Sequence, residues 1–236
     1  MCSIIFTDGC LVQLAQPDDG QATVARPREF DLEKALDAAV DCFWSRGLGA
    51  TSVRDLANGM GINGPSLYNA FVDKRTLFVQ ALERYADRSM RSLIQHLERD
   101  HEPADRIRKF LGTLIEKSLT DPDHRGCLIV NSALEVAPHD AEIEHLIASY
   151  LGEIEAFFRR SLDRGRADGV ISATIDARDA ARLLLGVVLG IRVAARFRPE
   201  RALLEGMVRP VLRLLDPPVQ RKPAVKRRSR PVIANA

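Results

Sequence analysis

The reading of this chain turns on one stretch, Val53-Arg-Asp-Leu-Ala-Asn-Gly-Met-Gly-Ile-Asn-Gly-Pro-Ser-Leu-Tyr-Asn-Ala-Phe-Val72. Two helices that cross closely need a small residue at the crossing, and Ala57 stands there. Four positions later the chain needs a turn residue that accepts positive φ, which Gly61 does without a Cβ penalty. Leu56, Met60, Ile62 and Leu67 are placed to lock the crossing from both sides. Ser52 with Asp55 forms a capping box that starts the first helix. The pattern predicts short helices over Ser52–Met60 and Gly64–Asn69. The glycine alone would suit a plain αα-hairpin. The agreement of small, glycine and apolar positions with one template favours a helix-turn-helix.

Working outward, the apolar period stays helical. Leu32, Leu36, Ala39, Val40 and Phe43 share one face, Asp31 can cap that helix, and Gly47 ends it. A long helix opens at Asp73, with Leu77, Phe78, Ala81, Leu82 and Tyr85 as its stripe, and continues through Leu93 and Leu97 until Pro103. Further helices are predicted over 103–119, 126–137, 140–165, 176–198 and 200–215, and Pro210 predicts a kink or early stop in the last. Strand-like alternation is scarce. The chain reads as all-α, a small N-terminal helical module leading into a larger helical body.

Composition agrees with a folded chain of 236 residues, 46% hydrophobic and 28% charged. No run approaches the ~18 consecutive apolar residues of a membrane span, so no membrane partner is expected. Cys2, Cys10, Cys42 and Cys127 show neither metal spacing nor a disulfide framework, which points to a reduced, cytoplasmic setting. The net charge of +2 is uneven: residues 1–23 carry −3, residues 217–236 carry +6, and the rest carries −1. Overall charge therefore does not mark a nucleic-acid binder. Cys2–Gln16 lacks the basic flank of a signal peptide. Residues 1–23 read as a disordered, dispensable extension, with Val24 a natural start. Residues 217–236 read as a disordered basic tail, either solubilising or a source of sequence-independent attraction to DNA.

The flanks of the helix-turn-helix carry a resemblance. Gly49-Ala-Thr-Ser-Val-Arg-Asp-Leu-Ala, Ser66-Leu-Tyr-Asn-Ala-Phe, Asp73-Lys-Arg-Thr-Leu-Phe and the preceding Phe43-Trp-Ser-Arg-Gly resemble the N-terminal domain of TetR-type (TetR/AcrR) transcriptional regulators over about 50 residues. The resemblance implies a DNA-binding domain over 24–75 and a helical effector-binding and dimerisation domain over 76–216. It makes Gly64–Asn69 the recognition helix, with Gly64 and Pro65 at the end entering the major groove. It gives Thr51 and Ser52 hydroxyl and N–H contacts to phosphate, and Tyr68 and Lys74 phosphate contacts. Base reading falls to Asn63, Ser66 and Asn69, the asparagine amides being able to bond adenine, and Arg54 can reach a base or a phosphate. Two departures stand out. Many relatives carry a basic residue in place of Gly64 and a histidine in place of Ala70, and Pro65 removes one N–H. The arm at Arg26 and Arg28 can add screened attraction.

The resemblance further implies a homodimer on a palindromic operator, joined through the last two long helices. Leu183, Leu184, Gly186, Val187, Gly190, Ile191 and Ala194 are the expected interface, although an internal core helix would show the same apolar face. The family's usual mechanism is repression relieved by a small molecule that changes the pose of the Asp73–Arg99 helix. Phe110, Leu114, Cys127, Asn131, Leu134, Phe157 and Ile191 are the candidate pocket residues. The run Arg125-Gly-Cys-Leu-Ile-Val-Asn-Ser-Ala-Leu-Glu135 resembles a segment found in a subset of these regulators, some of which answer to electrophiles or oxidants through its cysteine. Cys127, near a helix start with His124 and Arg125 close by, has the setting that favours a thiolate, or it is a plain buried hydrophobe. The rival from another class is a di-iron carboxylate enzyme, suggested by Glu98 with His101 and Glu142 with His145. No serine triad, P-loop or dinucleotide fingerprint is present, and no cofactor or metal is expected.

Overall fold

In the computed structural model, residues 31–216 are described. The expected extension over 1–23, the arm at Arg26 and Arg28, and the basic tail over 217–236 lie outside them. Helix α1 (Leu32–Ala50) buries Ala39, Val40 and Phe43 of the expected stripe together with Ala35, while Leu32 and Leu36 are only half-buried, and Gly47 breaks its regularity near the end at φ 77°, ψ 172°. Helix α2 (Val53–Met60) starts in the predicted capping box: the Asp55 N–H donates to Ser52 Oγ at 3.1 Å, and the Ser52 N–H donates to Asp55 Oδ2 at 3.0 Å. It stops at Gly61, left-handed at φ 67°, ψ 29°.

Helix α3 (Gly64–Phe71) runs two residues past the expected end, because Phe71 is a core residue as well as a helix residue. It closes on a γ-turn at Val72, where φ is 63°, ψ is −62°, and the Asp73 N–H donates to the Phe71 carbonyl at 2.6 Å. Asp73 then caps α4 (Lys74–Ala86) by accepting from the Thr76 N–H at 2.6 Å. The long helix expected from Asp73 onward is continuous but not uniform. A π-turn over Asp87–Arg91 separates α4 from α5 (Ser92–Asp100).

Eight-residue helices are marginal on their own, so α2 and α3 depend on the core they share with α1 and α4. Phe43 and Phe78 meet edge to face at 5.0 Å, and Leu56, Leu67, Phe71 and Leu77 close around that centre with almost no exposed surface. Each such side chain contributes about 1.5–3 kcal/mol on burial. The body follows as α6 (Pro103–Thr120), α7 (Leu128–Glu135), a 3₁₀ turn at Ala137–His139, α8 (Ala141–Ala167), α9 (Ala177–Phe197) and α10 (Arg201–Leu215). Phe110, Phe157 and Phe158 form its aromatic centre, with ring centroids 5.1–5.4 Å apart. Every regular element among the described residues is helical, and no described helix is long and apolar enough to cross a membrane.

The early stop expected at Pro210 does not occur, since α10 continues to Leu215. Proline removes the bond to the carbonyl four residues earlier. That residue is Gly206, which is exposed like Pro210 itself, so water can take the bond's place.

A Cβ added at Gly61 would meet nothing within 4 Å, so Gly61→Ala tests the backbone conformation alone. It should lower stability by about 1 kcal/mol. Gly64→Ala, also in open space but at ordinary φ, should not lower it. Urea unfolding of the two variants checks this, and equal stabilities would contradict a left-handed turn at Gly61.

Candidate nucleic-acid interface and internal cavity

Helix α3 buries Leu67 and Phe71 and leaves the opposite face open. Asn63, Pro65, Tyr68 and Asn69 are exposed there, with Gly64 and Ser66 half-buried beside them. Asn63 is the helix cap: its Oδ1 accepts from the Ser66 N–H at 2.8 Å, which leaves its NH₂ as the outward group. The Asn69 side chain makes no hydrogen bond among the described residues and keeps both amide functions for a base edge. Tyr68 is 51% exposed, and Arg54 on the neighbouring α2 is exposed and has no carboxylate partner among the described residues.

Several expected phosphate contacts need correction. Thr51 is 1% exposed, and its hydroxyl donates to the Gly47 carbonyl at 2.6 Å, so it has no hydroxyl to offer. The Ser52 hydroxyl donates to Asp55 Oδ2 at 2.6 Å, and its N–H is held by the same oxygen. The open donors of the α2 first turn are instead the N–H groups of Val53 and Arg54. Lys74 donates through Nζ to the carbonyls of Leu48 at 2.9 Å and Thr51 at 3.0 Å. Two of its three ammonium protons therefore pin the loop that leads into α2. The third remains for an anion.

The Arg125–Glu135 run has a structural meaning that spacing alone does not reveal. Gly126 sits at φ 73°, and an added Cβ would lie 2.7 Å from the Arg196 side chain. Asn131 donates to the Arg125 carbonyl at 2.8 Å and accepts from Arg196 at 3.2 Å. Glu135, on the last turn of α7, accepts from the Gly49 N–H at 3.2 Å, and its carboxylate occupies the space where a Gly47 Cβ would go. The run joins the body to the end of α1. Asn131 is thus absent from the apolar chamber and lines a small cleft with Gly47, Glu135 and Arg196 instead. Leu134, 71% exposed, points away from any pocket.

Of the other pocket candidates, Phe110, Leu114 and Cys127 do line an internal chamber, together with Val130, Ile154 and Val188. Phe157 and Ile191 are fully buried core instead. An outer cleft carries Trp44, with the Arg125 guanidinium 4.0 Å above its ring, and Asp37, Asp41 and Asp121. Tyr85, Ser89, Lys117 and Arg192 line both spaces. Sequence reasoning missed Lys117 and Arg192, yet each leaves a signal. Lys117 continues the spacing of Phe110 and Leu114, and Arg192 lies one turn after Val188, so both are charges in apolar stripes.

Helix α9 has two apolar faces. Leu184, Ile191 and Ala194 are buried within the protomer, which corrects their assignment to an interface between copies. Leu183, Gly186, Val187 and Gly190 lie on the outer side, and the exposed Val193 and Phe197 extend that side. The metal alternative fails on its ligands: Glu98 is paired with Arg160 at 2.8 Å and Glu142 with Arg75 at 2.7 Å. His101 packs against the His96 ring, and His145 bonds the Ala141 carbonyl. Among the described residues no three His, Cys, Asp or Glu come together as a metal site.

An all-helical body behind an open helix-turn-helix makes this a DNA-binding transcriptional regulator. Residues 35–81 match the model for bacterial regulatory proteins of the tetR family, and residues 103–210 match that for the tetracyclin repressor-like C-terminal domain. A solved structure of a cysteine mutant of the TetR family transcriptional regulator CifR, complexed with 26-bp double-strand operator DNA, is 34% identical. That comparison covers 80% of this chain and 98% of the other at a TM-score of 0.72. The HTH-type transcriptional repressor ComR of Escherichia coli (strain K12) is 29% identical over 172 residues, 72% of this chain and 82% of ComR. YezE of Bacillus subtilis (strain 168), an HTH-type transcriptional regulator, is 29% identical over 195 residues, 82% of this chain and all of YezE. The chain belongs to the TetR family.

The capping box has a pH signature. The two Ser52 hydrogen bonds, joined by the Arg46 guanidinium at 2.8 Å, hold the Asp55 carboxyl at about 2, below its ordinary 3.8. A carboxyl depressed on folding stabilises above its ordinary value and loses that contribution as pH falls toward the folded one. Asp55→Asn should therefore lower stability at pH 7 and flatten its fall between about pH 4 and 2. Thermal melts across that range check it, and parallel profiles for variant and parent would contradict the box.

Proposed function

We propose that the protein acts in the cytoplasm as a homodimeric repressor that binds a palindromic operator and is released by a small-molecule effector. Residues 24–75 serve as the DNA-binding head and 76–216 as the effector-binding and dimerisation body. The observation that carries this reading is the open face of α3, with Asn69 and Tyr68 unengaged, beside the uncapped N–H groups of Val53 and Arg54. Helix N-termini attract phosphate, and a free amide on a groove-facing helix reads a base edge. The similarity to CifR, whose solved structure contains operator DNA, supports the same use here.

In this reading α3 enters the major groove from Gly64 and Pro65, with Asn69, Ser66 and the Asn63 NH₂ toward base edges. Arg54, Tyr68 and the remaining Lys74 proton take backbone phosphates. Thr51 contributes by holding the Gly47 carbonyl, and Ser52 by fixing the first turn of α2. Two heads reach successive half-sites about 34 Å apart or more. The outer stripe of α9, from Leu183 through Gly186, Val187 and Gly190 to Phe197, joins the copies. Phe197 is 74% exposed in the single chain, which a second copy would relieve. Gly190 already receives Met207 from α10, so both helices share that surface.

An operator selected from genomic DNA with the purified protein tests the reading by fluorescence anisotropy. Asn69→Ala should lose on the order of 1–3 kcal/mol of discrimination at one base pair in each half-site. Lys74→Ala should weaken all duplexes alike and reduce the salt dependence. The double variant Leu183→Glu, Phe197→Glu should elute as a monomer and lose operator affinity. A parent that is monomeric by light scattering and ignores every duplex at low salt would refute the proposal.

A further inference from the structure

Two cations stand where the outer cleft opens into the apolar chamber, and neither has a carboxylate partner among the described residues. Among the described residues the Lys117 ammonium makes no hydrogen bond or ion pair, and the Arg192 guanidinium reaches Ser118 Oγ alone, at 3.5 Å. The acids lining the same cleft are already engaged. Asp37 holds Arg84 and Arg88, Asp41 holds Arg125, and Asp121 accepts from the Arg125 N–H at 2.6 Å. Arg91, on the π-turn beside the chamber, is by contrast tied to Glu83, Asp87 and Glu153. Burial and the neighbouring Arg192 push the Lys117 ammonium below its ordinary value, the mark of a charge that lacks compensation. The chamber beyond is apolar, walled by Phe110, Leu114, Val130, Ile154 and Val188.

We infer that the effector is an amphipathic organic anion, a carboxylate with an apolar body: its carboxylate sits between Lys117 and Arg192, and its hydrocarbon part enters the chamber. This rests on the effector-released reading above and adds the chemical class. A guanidinium and an ammonium facing one carboxylate form charge-assisted bonds, and an anion there relieves the repulsion between the two cations. The enclosed space of the chamber is about 40 Å³, room for little more than water. The hydrocarbon part must therefore displace side chains, and the unbranched Met90 on the π-turn is the adaptable one.

The test uses the full chain and matched probes: carboxylates from butyrate to decanoate and phenylacetate, each against its alcohol and its amine, by isothermal titration. At least one carboxylate should bind about tenfold tighter than its alcohol, and the amines should bind weakest. Lys117→Met and Arg192→Met should each remove that preference, with melting curves that superimpose on the parent, and Lys117→Arg should keep it. If no carboxylate exceeds its alcohol, or if both methionine variants retain the preference, the inference is overturned. Operator release, followed in parallel, separates the two readings. A neutral or cationic probe that releases DNA would refute the anion class and leave effector control standing. A carboxylate bound with the expected preference but without effect on DNA affinity would support the site and refute its role in release.

Discussion

The short loop between α1 and α2 is held from two sides, and the geometry of the head depends on that grip. From one side the Lys74 ammonium binds the carbonyls of Leu48 and Thr51; from the other the Glu135 carboxylate binds the Gly49 N–H. Both are charge-assisted hydrogen bonds, the stronger kind. They fix the point at which the chain turns into α2, and so the direction of the free N–H groups of Val53 and Arg54. Gly47 is required here because its φ is positive and the Glu135 carboxylate fills the space a side chain would need. Removing that glycine would displace the body's carboxylate together with the end of α1.

This grip also links the two halves of the proposed mechanism. Lys74 opens the helix that carries Tyr85, Ser89 and Met90 at the chamber, and at 1.5 Å per residue Tyr85 lies about 16 Å along it. Glu135 ends the helix that Cys127 begins, and Cys127 lines the same chamber. In the proposed mechanism, each chamber wall leads along its helix to one of the two groups holding the loop. For this to count as allostery the ligand must prefer one of two arrangements. The π-turn at Asp87–Arg91 is the irregular point in the α4–α5 path, and Arg91 ties it to α8 through Glu153.

Much of the fold was legible because it is written in short-range patterns. The capping box at Ser52 and Asp55, the left-handed turn at Gly61 and the apolar stripes of α1 and α4 each depend on residues a few positions apart. The residues of α3 expected to face a partner came from the family resemblance. At Thr51 a hydroxyl near a helix start looks available until its acceptor, the Gly47 carbonyl in a kinked turn, is known. Leu184, Ile191 and Ala194 were placed between copies because an apolar stripe does not say which neighbour covers it. Helix α9 has two such stripes, one for its own body and one facing out. Lys117 and Arg192 broke their stripes visibly, but an isolated charge in a stripe acquires meaning only beside the other.

The amino-acid sequence by itself determined which segments are helical, that the fold is all-α, and which short segment forms the helix-turn-helix. Helix caps, turns and periodicity are local, and local groups meet whatever the rest of the chain does. Tertiary structure alone decided which polar groups remain free for a partner. The bond from Glu135 to Gly49 spans 86 positions, and those from Lys74 span 23 and 26. A donor or acceptor taken by so distant a partner carries no mark of it in its own neighbourhood.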